Sequence, residues 1–269
     1  MGIGRGAASV FAAAVIIASV TACAQGDPAV TLPPEDAAPD YQLGEAYPPE
    51  PQVGIVVRDR TAAPAEGLYS ICYVNGFQTQ PGELDAWPGE LLLKDADDNT
   101  VFDPDWPDEA LLDTSTEAHR AAIVEIVEPW IRECADAGYL GVEFDNLDTY
   151  ARSDGALTFE HNAALATALV DVAHDAGLAA GQKNAAEVAA ALRAASGFDF
   201  AVTEECAQFD DCDAYEDVYG DHVIAIEYDE ATFRAACEDE RMPDAAVLRD
   251  RDLTAPGDPA YVFALCRDD

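Results

Sequence analysis

Three acids and an amide crowd one short stretch: Glu143, Asp145 and Asn146 close the motif GVEFDN, and Asp148 follows two positions on. The motif reads as the end of a β-strand. Strand side chains alternate faces, so Glu143 and Asp145 share one side while Val142 and Phe144 take the other. Two carboxylates on an inward face are desolvated and repel each other, and such pairs persist where protons, sugars or metals are handled. The plainer reading is a solvated loop rim. With no metal ligands beside them, paired carboxylates fit glycoside hydrolysis. One acid protonates the leaving oxygen, and the other attacks or stabilises an oxocarbenium-like centre.

Polar strand ends recur along the chain. Strand-like segments at 53–58, 68–74, 110–113, 139–145, 178–183, 198–204, 223–228 and 245–250 alternate with helix-like segments at 116–137, 158–176, 185–195 and 230–238. Thr116 (or Ser115) and Thr158 are N-caps, and Gly138 and Gly177 sit just past C-termini. Eight strands with intervening helices predict an α/β fold, a single (β/α)8 TIM barrel over 51–269. An open doubly wound sheet is the runner-up, but no glycine-rich nucleotide loop follows any strand.

Barrel active sites lie at the C-terminal strand ends. These ends carry Tyr73 and Asn75, then Glu143, Asp145 and Asn146, then Lys183 and Asn184, then Glu204 and Glu205, then Glu227 and Tyr228. The catalytic pair expected is Asp145 and Glu204, because Glu204 shares the inward phase of Phe200 and Val202, two strands along. Crowded acids keep a proton on one partner, and Lys183 holds the other ionised. The remaining strand-end residues, with Asp148, are expected to position or bind sugar, and Trp87 and Tyr73 to stack on sugar faces. Asp95, Asp97 and Asn99 resemble the start of a calcium loop, but Thr100 and Trp106 replace the required Gly and Glu. No metal or cofactor is expected.

The chain has 269 residues, 53 acidic against 14 basic, for a formal charge of −39, and its only lysines are Lys94 and Lys183. That charge excludes nucleic acid and repels anionic lipid headgroups. Residues 1–22 read as a secretory signal, and VTAC (Val20 to Cys23) resembles a lipobox, which makes Cys23 the lipidated anchor. Residues 23–50, rich in Pro, Ala and acid, read as a tether, with Tyr41, Leu43 and Tyr47 able to seal one end of the domain. The expected protein is an exported monomer, lipid-anchored at the cell membrane and facing outside. Export permits disulfides among the other six cysteines, which allow fifteen pairings. Cys206 and Cys212 are near enough to close a small loop, Cys237 and Cys266 would staple the C-terminal end, and Cys72 and Cys134 remain. An echo, VVRDRTAAP against VLRDRDLTAP, places Arg58, Asp59, Arg249 and Asp250 on the first and last strands, where closure would cluster them.

The motifs YQLG, ICYVNGF, WPGE, GVEFDN, QKN, TEEC followed by QFDDC, and IEYD occur in the order found in the endo-α-1,4-polygalactosaminidase family, glycoside hydrolase family 114, which the chain resembles from Tyr41 to Cys266. The resemblance implies a (β/α)8 barrel that cleaves galactosamine-containing polysaccharide, with Asp145 and Glu204 at the catalytic positions. Two departures stand out. The usual Asn-Glu-Gln-Cys is Thr203-Glu204-Glu205-Cys206 here, and the segment from Lys94 to Asp113 differs from the family pattern. A non-catalytic carbohydrate-binding surface lipoprotein is the alternative.

Overall fold

The structure is a computed structural model that describes residues 1, 2, 4, 30–239 and 241–266; Cys23, most of the signal segment and the start of the tether lie outside the described residues. Eight parallel strands pair in chain order: β1 (Ala38–Gln42), β2 (Val53–Asp59), β3 (Tyr69–Asn75), β4 (Gly141–Asp145), β5 (Ala179–Lys183), β6 (Phe200–Glu204), β7 (Val223–Glu227) and β8 (Ala245–Arg249). A short β9 (Phe263–Leu265) runs antiparallel to β8. Helices α1 (Glu117–Ala137), α2 (Phe159–Asp175), α3 (Ala189–Ser196), α4 (Cys206–Phe209), α5 (Cys212–Tyr219) and α6 (Glu230–Glu238) cover the outside. This is the expected (β/α)8 TIM barrel.

Two strand assignments change. β1 comes from residues read as the end of the tether, and it pairs with β2 in parallel. Residues 110–113 are no barrel strand: they form antiparallel bridges with Gln78, Leu92 and Phe102 inside an excursion between β3 and α1. The short apolar run ALLD has strand character without the length to cross a barrel wall. One missed and one spurious strand offset each other, so the count and the numbering from β4 onward agree with expectation. The two short helices α4 and α5 also went unpredicted, each too brief for a helical period to show.

The echoing arginines do not meet. β1 lies between β2 and β8 and receives one from each side. Arg58 donates to Gln42 Oε1 at 3.0 Å, and Arg249, fully buried, pairs with Asp40 Oδ1 at 2.9 Å and bonds the Tyr41 carbonyl. That grip closes the barrel. The core divides by strand phase. Tyr41, Ile55, Val57, Tyr69, Ile71, Tyr73, Phe200, Val202, Ile224, Ile226 and Val247 fill the interior, while Val142, Phe144, Ala180 and Ala225 pack against the helices.

Thr116 and Thr158 accept the amides of His119 and His161, and Gly138 ends α1 in a left-handed turn with φ 101°. Disulfides join Cys72–Cys134, Cys206–Cys212 and Cys237–Cys266. Gly181 on β5 leaves room for Phe200, since a Cβ there would sit 2.4 Å from its ring. Gly181→Ala is therefore expected to lower stability by about 1–3 kcal/mol through overpacking, read by urea denaturation; an unchanged midpoint would show that the ring moves freely.

Candidate active site

Three carboxylates converge on one ammonium at the C-terminal mouth of the barrel. Lys183, at the end of β5, is 2% exposed, and its Nζ lies 3.4 Å from Glu143 Oε1, 3.4 Å from Asp145 Oδ2 and 3.1 Å from Glu204 Oε2. Burial alone would lower the lysine's pKa, but the surrounding carboxylates outweigh it and raise it. The cleft cation therefore stays charged.

Each acid has its own surroundings. Glu143 is fully buried beneath the lysine, with Oε1 accepting from the Tyr41 hydroxyl at 2.8 Å and Oε2 without a hydrogen-bond partner among the described residues. Burial, opposed by Lys183 and reinforced by Asp145, pushes it up to about 7. Asp145 is held at both oxygens: Oδ2 accepts from Tyr73 at 2.7 Å and Oδ1 from the Asn146 amide at 2.7 Å. Glu204 is the most open of the three, with a side chain 29% exposed. It accepts from the Tyr228 hydroxyl and from Asn184 Nδ2 at 3.2 Å. Burial works to raise its pKa, but Lys183 and the bonds from Tyr228 and Asn184 prevail and hold it below the usual range. Tyr73 and Tyr228 are themselves pushed up, first by burial and then by the carboxylate each faces, and remain donors.

The backbone turns sharply after each of these strands. Asn146, Asn184 and Glu205 take φ of 66°, 52° and 60° directly after Asp145, Lys183 and Glu204. Asn tolerates this region; Glu does not favour it, and strain of this kind gathers at functional sites. The turn at Asn184 lets its side chain clamp Glu204, with Oδ1 accepting the Glu204 amide at 2.8 Å.

The structure thus gathers Asp145, Glu204, Lys183, Tyr73, Asn184 and Tyr228 at one mouth. Other expected contacts are reassigned. Glu143 is too deep to touch a sugar; it neutralises Lys183 from below. Glu227 lies on the opposite phase from Tyr228, so only one of the two can face the cleft. It accepts the Ala207 amide at 2.9 Å among the helices, and burial pushes it up to about 7. Trp87 packs edge-on against Trp130 of α1, with centroids 5.8 Å apart, rather than presenting a face to the cleft. Asn146 and Asp148 both bond Arg152, at 3.1 and 2.8 Å, and Glu205 pairs with Arg251. Asp95 caps its own hairpin, accepting the amides of Asp97 and Asn99.

Sequence reasoning missed Tyr41 as a site residue and missed Glu109. Asn75, buried and in register with Asp145, donates to Glu109 Oε2 at 3.0 Å.

Solved structures share this architecture. The chain superposes on Ega3 of Aspergillus fumigatus, solved in complex with galactosamine, with TM-score 0.69, 21% identity and coverage of 89% of this chain and 98% of that one. The glycoside hydrolase domain of PelA from Pseudomonas aeruginosa, in a single-residue variant, matches with TM-score 0.53 and 17% identity over 82% of this chain and 97% of that one. No curated protein sequence matches. The model of glycoside-hydrolase family GH114 covers residues 20–269, the whole barrel with its carboxylate-lined mouth, and the chain belongs to that family.

Proposed function

We propose that this glycoside hydrolase is endo-acting and cleaves α-1,4 linkages in galactosamine-containing polysaccharide with retention, Asp145 serving as nucleophile and Glu204 as acid/base. One observation carries the assignment of retention: Asp145 Oδ2 and Glu204 Oε2 contact the same nitrogen at 3.4 and 3.1 Å, so the two oxygens lie at most about 6.5 Å apart. Retaining enzymes space their carboxyls at roughly 5–5.5 Å, and inverting ones at roughly 6.5–9.5 Å, to admit a water.

The roles follow from the surroundings. Asp145, fixed at both oxygens, is aimed as a nucleophile must be. Glu204, also held at both oxygens but the more exposed of the two, donates a proton to the leaving oxygen and later takes one from water. Because Lys183 and Tyr228 favour its ionised form, the acid step works on the acid side of neutrality, and the base step finds Glu204 already ionised. The galactosamine bound to Ega3, and an acidic cleft suited to ammonium-bearing sugars, support the substrate class. Export on a Cys23 lipid anchor, with residues 23–37 as spacer and the barrel acting as a monomer, completes the proposal.

The test is proton NMR of products from an α-1,4-linked galactosamine polymer. α-Anomeric reducing ends are expected first, with β-anomers growing in by mutarotation. β-Anomers appearing first would make the pair inverting. Saturable binding without new reducing ends would favour a carbohydrate-binding surface protein.

A further inference from the structure

The excursion between β3 and α1 is anchored to the mouth of the barrel by one buried acid. Asp103, 3% exposed, accepts from Gln78 Nε2 at 2.7 Å and pairs with Arg152 Nε at 2.8 Å. Its amide donates to the Glu109 carbonyl at 2.9 Å, closing the turn that carries Glu109. Glu109 is half-buried on this pinned turn. Asn75 fixes one of its oxygens: the Asn75 Oδ1 accepts the Gln78 amide at 3.0 Å, which leaves Nδ2 to face Glu109 Oε2 at 3.0 Å. Oε1 has no hydrogen-bond partner among the described residues.

A carboxylate beside Asp145, rigidly held and with a free oxygen, is poorly placed for structural work and well placed to meet a cation. We infer that Glu109 is a specificity residue of this cleft, its carboxylate taking the ammonium of an amino-sugar unit adjoining the one attacked by Asp145. The inference rests on the proposed glycosidase reading and adds the group that reads the amine. The groups around Glu109 favour a cationic guest. Burial first, then Asp145 on β4 and Asp103 on its own turn, push its carboxyl up to about 7 against the pull of Asn75 and Arg152, and an arriving ammonium relieves that repulsion.

The experiment compares wild type with Glu109→Gln, which keeps the shape and the Asn75 contact, on a series of galactosamine polymers of graded N-acetylation. Wild-type kcat/KM is expected to rise as acetyl groups are removed. In E109Q it falls about 10- to 100-fold on the fully deacetylated polymer, the range for loss of one charge-assisted hydrogen bond, mainly through KM, and the dependence on acetylation flattens. A proportionate loss at every grade would make Glu109 a general support of the site, and an unchanged dependence would remove it from the substrate; either overturns the inference. Wild type that releases no reducing ends from any grade would instead bring down the proposed function itself.

Discussion

Replacing Asp145 by Asn leaves a folded protein whose turnover falls on the order of 10⁴-fold or more, the scale seen when a nucleophile is removed from a catalytic unit that acts together. The fold survives because Lys183 keeps Glu143 and Glu204 as partners at 3.4 and 3.1 Å, and the isosteric amide still accepts from Tyr73. Glu204→Gln is expected to be comparably inactive with natural polymer, so loss of activity does not separate the roles. Rescue does. With azide as external nucleophile, Asp145→Gly is expected to give a glycosyl azide of inverted configuration, because azide attacks from the vacated face. Glu204→Ala is expected to give the retained azide, formed by attack on the glycosyl-enzyme. Reversed configurations would exchange the two assignments, and full turnover in Asp145→Asn would remove that residue from the chemistry.

Lys183→Met is expected to show the largest loss of stability, about 3–5 kcal/mol at neutral pH, since breaking a buried ionic cluster from one side strands the opposite charge. Its pH dependence identifies the cause. In wild type Lys183 holds Glu204 below the ordinary carboxylate range and restrains the rise of Glu143, which still reaches about 7. Without the ammonium, the folded-state carboxyl of Glu143 rises further and that of Glu204 loses the charge that holds it down, so both bind protons more tightly than in wild type. A group with a raised folded pKa supports folding below its unfolded value, near roughly 4, and that support is lost as pH climbs through the folded value. The deficit relative to wild type is therefore smallest in acid and largest above neutrality. Urea melts at acidic, neutral and mildly alkaline pH measure it. A deficit that stays constant across that range would mean the lysine acts through packing of its stem.

The parts of the site that could be read from sequence were those fixed by strand period. Glu143 with Asp145, and Phe200 through Val202 to Glu204, share faces by simple alternation, and the structure places them so. Period alone does not give depth. Glu143 and Asp145 lie on one face, yet one is fully buried and the other meets the cleft, because two residues along a strand differ by a layer of the barrel. Period also argued against placing Glu227 in the cleft beside Tyr228, and expecting both at the mouth set that constraint aside. β1 was hidden for another reason. Its five residues begin Ala-Pro-Asp and follow a Pro- and acid-rich run, and Asp40 belongs in a strand only because Arg249, more than 200 residues later, neutralises it. A pairing of that range leaves no local mark. Glu109 escaped similarly: its place beside Asp145 depends on how Asp103 pins a turn, and no spacing in the chain encodes that.

The closure of the barrel has a bearing on when the enzyme becomes active. β1 delivers Tyr41, which bonds both Glu143 and Lys183, and β1 is held in turn by Arg249 of β8, near the opposite terminus. Tyr41 and Arg249 lie 208 positions apart in the chain, so the strand that supplies the hydroxyl and the residue that clamps it meet only when the two edges of the sheet come together. The charged centre is therefore completed by closure of the barrel, and a chain folded only from β2 to β7 holds Glu143, Lys183 and Glu204 without the hydroxyl that ties the first two together.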